Sequence, residues 1–583
     1  MTLETEAPSR RPGWWLRALF VLASLAIVAG TIGHLAYYFP RTVDDLFISL
    51  RFAENFARGN GPVYNVGERV EGYSGALWMF LQALGFVLRI EGVLWTKLLG
   101  LVCLLATQLG LYRLTRHVLG VRPWIALLPC AAFALNSYAI NWSTLGLETP
   151  LNLATIVLLP VAVHGFLREP NARHRALACL AIVACGMARP ESVLYLAVNA
   201  IAPVVSAGSR EKARSVAVSL VRGLWPAVAF LFAMLLLRRW YYGEWVPNTY
   251  FVKGAKIAKD LVRLGPLVAQ GAGITEAIEY VGGAILLVAL SFYRRQPAAG
   301  LTVVACAYFV ISVILDWMPS LRHHLPITML APVGWALAVD TLVSLRARKR
   351  WLPWLAIVPV VLVAHAQWTV ARIDNRYSPE EAARGGWVLP KSMSKWRDTV
   401  WAFYRAEPPH VTQMHDYEMG QISASWGVLE ASAAPVEDSW FVGRDIGMVG
   451  YYTGVRVYDT AGLFTRDVAR SREWTHEHVV SDALIRAAMA RRPIAGEIYE
   501  GWDDALGRHP DLLQGYRLRG GSWQQPVAWI AFDREPPSHE LVVQRYEAMV
   551  AKFPRWFHLH TLYGEAVGAV VERRLRIKRD GQP

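Results

Sequence analysis

The stretch YFPRTVDDLFISLRFAENFARGNGPVYNVGERVEGYSGALW, residues 38–78, follows directly on a long apolar segment, and its reading decides the rest. Two adjacent carboxylates, Asp44 and Asp45, stand just past the end of that segment. An Asp ahead of the helical pattern LFISLRFAENF accepts hydrogen bonds from free backbone N–H groups at a helix start. That explains one acid and leaves the other. The glycines, acid and base of GNG, GER and EGY then make a loop too polar to lie in lipid. The stretch therefore reads as a reactive loop outside a membrane.

Composition agrees. The chain has 583 residues, 54% apolar and 18% charged, a departure from soluble averages toward membrane proteins. Its 24 Trp and 23 Tyr suit membrane interfaces, where amphipathic rings collect. The net charge of +14 does not signal nucleic acid, because the basic residues lie mostly in short clusters between apolar runs. All five cysteines fall inside apolar segments, which disfavours a disulfide framework or a thiolate metal site. The first apolar run, Trp14 to Phe39, exceeds the core of a signal peptide and reads as a retained anchor, with Arg10, Arg11 and Arg17 putting its start in the cytoplasm.

Apolar stretches, most near bilayer length, lie at about 15–39, 94–113, 123–140, 150–167, 175–188, 191–206, 221–242, 276–293, 299–316, 323–345 and 352–370, or about eleven spans. The basic clusters Arg113/Arg116/Arg122, Arg168/Arg173/Arg175, Arg210/Lys212/Arg214, Arg294/Arg295 and 346–350 share one side if a single crossing separates Asp45 from Arg113. Gly75 to Leu88 is therefore expected to lie along the membrane. This makes residues 1–370 a polytopic membrane domain with an external loop at 40–92. Residues 371–583 form an external soluble domain of mixed α/β type, with VRVYDTAGL and PVAWIAF as strands and SDALIRAAMARR and HELVVQRYEAMVAKF as helices.

The unusual residues then collect on one side. Acids at Asp44, Asp45, Glu148, Glu191 and Asp316, and bases at Arg189, Lys253, Arg322, His323 and His324, all sit in loops expected to face outward. Ionisable residues at the edge of membrane segments are costly and point to function. This mixture suits a carboxylate taking a proton from a hydroxyl while cations hold a departing phosphate. No Walker A sequence, HExxH or correctly placed GxSxG is present. External chemistry without a nucleotide points to a lipid-carried donor.

The segments DDLFISLRFAENFARGNGPVYNVGERVEGYSGALW, GLETP, ARPES, YYGEWVPNTYFVK, DWMPSLRHHLP and DIGMVGYYTGVRVYDTAGL resemble the pattern of GT-C fold membrane glycosyltransferases. The subgroup they most resemble is the terminal β-1,2-arabinofuranosyltransferases that use decaprenyl-phosphate arabinofuranose. The resemblance covers the membrane part and the start of the tail, and is most specific in the first loop. It implies an all-α membrane bundle with a soluble α/β domain, and an inverting transfer from a polyprenyl-phosphate sugar to a cell-envelope glycan or glycoconjugate.

By that resemblance, Asp44 is expected as general base, with Asp45 orienting the acceptor or holding a divalent cation such as Mg or Ca. Arg189, Lys253, Arg322 and His323 or His324 are expected on the leaving phosphate. Glu148, Glu191 and Asp316 would bind sugar hydroxyls or neutralise those bases, and Trp78 and Trp317 would stack on sugar or polyprenyl. Asp445 and Asp459, flanking GMVGYYTG, read as parts of a structural turn. The rival readings are a transporter or flippase of lipid-linked sugars, which would want mid-membrane charges and inverted repeats, and a noncatalytic envelope-assembly protein whose loop acids are dispensable.

Overall fold

The computed structural model describes residues 14–39, 42–254, 278–312, 322–345, 425, 427–444, 446–471, 481–498, 508–519, 527–531, 535 and 537–552. Its first part is a helical bundle. The order is α1 (Trp14–Tyr38), α2 (Asp44–Ala57), α3 (Ala76–Val87), α4 (Gly92–Arg113), α5 (Leu128–Leu135), α6 (Ser137–Thr144), α7 (Thr149–Arg168), α8 (Ala172–Ala188), α9 (Ser192–Val205), α10 (Arg210–Tyr242), α11 (Asn248–Gly254), α12 (Gly283–Tyr293), α13 (Ala298–Ser312) and α14 (Leu325–Ser344).

Among the described residues, every span expected up to residue 345 falls mainly on helix. The last, at 352–370, lies outside the described residues, as do Asp316, Trp317 and Asp445. Among the described residues five helices are long and apolar enough to cross a membrane, or six if α5 and α6, bent by 58° at Asn136, form one broken span. Asn136 makes that break orderly, because its side chain accepts from the Ala139 N–H and so caps α6. Helix α3, with twelve residues, is about 18 Å long at 1.5 Å per residue, short of a ~30 Å hydrocarbon core.

The two ends of the bundle are chemically different. At one end Asp340, near the end of α14, receives Arg122 at 3.2 Å and Arg294 at 2.8 Å, so two of the basic clusters expected to share a side do meet. Arg322 precedes the other end of α14. Eighteen residues at 1.5 Å per residue separate it from Asp340 by about 27 Å. The bundle core between them is apolar and runs through α1, α4, α7 and α14.

The tail holds one five-stranded sheet made of β1 (Trp440–Gly443), β2 (Arg456–Asp459), β3 (Ala495–Ile498), β4 (Tyr516–Arg519) and β5 (Val527–Ala531), in the order β2-β1-β3-β5-β4. Strands β2, β1 and β3 are parallel, whereas β3, β5 and β4 are antiparallel. The helices of the tail are α15 (Gly447–Thr453), α16 (Arg466–Arg470), α17 (Asp482–Met489) and α18 (His539–Ala551). The expected strands and helices thus fall in place. A single apolar cluster joins α2 and α3 to α15, β1 and β2, so the tail packs directly on the first loop of the bundle.

Candidate active site

Helix α2 begins at Asp44, and its N-cap is Val43, in extended conformation with no capping side chain. Neither acid of the pair therefore caps its own helix. Asp44 is buried and turned away: its Oδ2 accepts from the Gly447 N–H and its Oδ1 from the Met448 N–H, each at 2.7 Å. A carboxylate at the start of α15 satisfies free donors and complements the positive end of the helix dipole. Two turns further along α2, buried Arg51 serves the other end of the same helix. Its guanidinium donates to the carbonyls of Gly450 at 2.6 Å, Val455 at 2.7 Å and Gly454 at 3.3 Å, and to Tyr64 at 2.9 Å.

Asp44 and Arg51, seven residues apart, lie about 10.5 Å apart along α2 at 1.5 Å per residue, the length of seven-residue α15. One helix thus holds the other by both poles. The approach requires glycine. A Cβ on Gly447 would overlap the Asp44 carbonyl, and one on Gly450 would overlap the Tyr64 hydroxyl and the Arg51 guanidinium. The GMVGYYTG segment is accordingly a docking face. Asp459 has the structural role expected of it, accepting from Ala461 and Phe464 in the following turn.

Asp45 differs from its neighbour in being only half-buried. Among the described residues no group of three His, Cys, Asp or Glu side chains is arranged to hold a metal ion, so the pair offers a cation one partly open carboxylate. A divalent ion of the Mg or Ca kind takes six or more oxygen ligands.

The expected phosphate and sugar residues converge beside α2. Glu148 Oε1 receives Arg189 Nη1 at 2.5 Å, Arg322 Nη2 at 3.0 Å and the Ser74 hydroxyl at 3.4 Å. Arg189 Nε also donates to Glu191. Arg322 donates to Thr149 Oγ1 at 3.3 Å and lies 5.2 Å from the Trp142 ring centroid. These loops come from the starts of α3, α7, α9 and α14, so residues far apart in sequence are brought to one crevice, lined also by Asn152, Tyr195, His323 and Pro326. Both arginines and Glu191 line it, Glu148 pairs with both arginines, and the carboxylates set the direction of both guanidinium forks. His323 lines this crevice and His324 is the N-cap residue of α14. Lys253 lies in α11, and its side chain lies outside the described residues.

Trp78 corrects an expectation. It is 2% exposed, packed among Cys103, Leu151, Ala154 and Ala188, with its indole N–H donating to the Gly146 carbonyl at 2.9 Å. A ring so enclosed cannot stack on a sugar or polyprenyl chain. It instead fixes the turn that carries Glu148. Gly146, at φ +92° and pressed against Leu46 of α2, ties that turn to the acid-bearing helix.

Three further residues shape the site. Lys97, 1% exposed, donates to the carbonyls of Phe39 at 2.5 Å and Thr144 at 2.9 Å, joining the end of α1 to the end of α6. A lone cation within GVLWTKLLGLV was the signal for it. Arg238 of α10 grips Glu71 of the first loop in two bonds at 2.7 and 3.1 Å. Asn248 donates to the carbonyls of Gly462 and Leu463, pinning the tail.

Known proteins place this architecture. Residues 409–548 match a family described as a domain of unknown function (DUF8728). The chain is 35% identical over 228 residues to the terminal beta-(1->2)-arabinofuranosyltransferase of Mycobacterium tuberculosis, covering 36% of this chain and 35% of that protein. It is 30% identical over 268 residues to the protein of the same name from Corynebacterium glutamicum, covering 41% of this chain and 37% of that one. The chain thus matches little more than a third of the length of these relatives. In structure it aligns with ArnT from Cupriavidus metallidurans, solved bound to undecaprenyl phosphate, with a TM-score of 0.54 at 13% identity over 89% of this chain and 98% of that one. The chain is a multi-pass membrane protein with the GT-C fold and, over part of its length, a sequence relative of terminal β-(1→2)-arabinofuranosyltransferases.

Proposed function

We propose that the protein is an inverting glycosyltransferase that moves a sugar, arabinofuranose by its sequence relatives, from a polyprenyl phosphate to a cell-envelope glycan or glycoconjugate on the outer face of the cytoplasmic membrane. The observation that carries this is the convergence of Glu148, Arg189, Glu191 and Arg322 beside the helix bearing Asp44 and Asp45. Asp44 and Asp45 are the two carboxylates available for the base role, and we assign it to Asp45, the more exposed of the pair, with Asp44 holding α15. Its carboxylate takes the proton of the acceptor hydroxyl, and that oxygen attacks the anomeric carbon. The bond from that carbon to the phosphate oxygen breaks on the opposite face. Arg189 and Arg322, with His323, hold the charge that gathers on the departing polyprenyl phosphate. The sequence relationship to arabinofuranosyltransferases and the fold shared with an enzyme that binds undecaprenyl phosphate support this reading.

The test is transfer by purified full-length protein from decaprenyl-phosphate arabinofuranose to an arabinan oligosaccharide, with the product's anomeric configuration read by NMR. Asp45→Asn should lower turnover by about 10²–10⁴-fold, the usual contribution of a general base, with the melting temperature unchanged. Full activity in that variant overturns the base assignment. A product that keeps the donor's configuration overturns the single displacement. Movement of the lipid-linked sugar across a vesicle bilayer without product would favour a flippase.

A further inference from the structure

A second site lies on the flank of the bundle. A groove of roughly 650 Å³, within the range of ligand pockets, runs between α4, α7 and α8. Small side chains carve it, among them Ala106, Ala154, Ala162, Ala181 and Ala184. Its lining runs along α7 from Leu151 to Arg168, seventeen residues or about 25 Å at 1.5 Å per residue. The Leu151 end abuts the apolar cluster beneath Trp78, close to the Glu148 turn. Val102 and Leu180 on its rim are 62% and 65% exposed, so it opens sideways to lipid.

The far end is cationic. Arg113, Arg168 and Arg173, with His117, His164 and His174, surround it, and Glu169 is the one acid in the lining. His174 Nδ1 stands 3.8 Å from that carboxylate. Arg113, Arg168 and Arg173 form no ion pair among the described residues. They are exposed at the mouth of an apolar channel.

We infer that this groove binds a phospholipid with an anionic head group, one acyl chain lying along α7 and the phosphate held by Arg113, Arg168 and Arg173. The charge complementarity selects the head group, since clustered basic residues between membrane helices attract anionic lipid by about 1 kcal/mol each. The depth and apolar lining select a chain. The inference is independent of the transferase reading.

The full-length protein in nanodiscs containing equal phosphatidylglycerol and phosphatidylcholine should retain phosphatidylglycerol over phosphatidylcholine by at least about tenfold on transfer to detergent, measured by native mass spectrometry. The combined variant Arg113→Gln, Arg168→Gln, Arg173→Gln should bring retention to parity. Ala162→Phe, which fills the channel, should abolish retention of both. Equal retention by the unaltered protein, which needs no variant, overturns the site, as does an unchanged preference in the triple variant. Displacement of phosphatidylglycerol by equimolar decaprenyl phosphate would make the carrier lipid the occupant and overturn the phospholipid assignment.

Discussion

Replacing Arg51 by Met tests how the tail is held against α2. Met keeps an unbranched stem of similar length and removes the four donors that Arg51 gives to Tyr64, Gly450, Gly454 and Val455. Hydrogen bonds from a charged group contribute about 1.5 kcal/mol or more each, so four would total about 6 kcal/mol if they were additive. Removing the buried cation offsets part of this, because burial strains the charged form and draws the Arg51 pKa below its ordinary value. A net loss of about 3 kcal/mol is expected. At 1.4 kcal/mol per tenfold, that is roughly a hundredfold faster exchange for the amides of α15 and β2, if they open by undocking from α2. Hydrogen–deuterium exchange with mass spectrometry of detergent-solubilised protein reads this directly, with the bundle helices as internal control. Unchanged exchange in residues 447–459 would refute the claim that α2 holds α15 by its poles.

Other consequences follow from individual contacts. Glu148→Gln leaves the buried Arg189, Arg322 and Glu191 cluster one negative charge short and should cost about 3–5 kcal/mol in a denaturation assay, with loss of transfer even where the protein still purifies. Trp78→Phe removes the bond to Gly146 and some volume, and should cost about 1–2 kcal/mol while leaving selectivity among donor sugars unchanged; a changed selectivity would return the ring to the sugar site. Burial pushes the Asp459 carboxyl up to about 7, against the hydrogen bonds that favour its charged form. The folded tail therefore binds this proton more tightly than the unfolded chain. Its contribution is full below about pH 4 and is lost as pH rises through 7, so the tail should be about 2–3 kcal/mol more stable at pH 5 than at pH 8. Asp459→Asn should flatten that dependence in thermal melts.

The membrane part was legible because a bilayer demands long apolar runs and charged ends, and both are written locally in the sequence. The convergence of GLE, RPE and RHH followed from the same rule. The role of Asp44 did not, because its partners Gly447 and Met448 lie some four hundred residues away and nothing near Asp44 announces them. Periodicity could assign α15 to a helix but could not say against what it packs. Trp78 illustrates a different limit. A Trp beside a polar loop suits sugar stacking and core packing equally, and only the position of Gly146 and Cys103 around it decides. Lys97 carried a local signal, a lone cation in an apolar run, that the reading of spans passed over, and its two carbonyl acceptors lie far from it in sequence.

The amide of Asn65 donates to the Val457 carbonyl at 2.9 Å and accepts the Val457 N–H at 3.0 Å. Val457 lies on β2, the outermost strand on its side of the sheet. A side chain from the first loop therefore stands where a neighbouring backbone would otherwise pair. Exposed strand margins template aggregation and fibril growth. Here the membrane half shields the soluble half from self-association, and a chain severed between the two would present a sticky border and tend to precipitate.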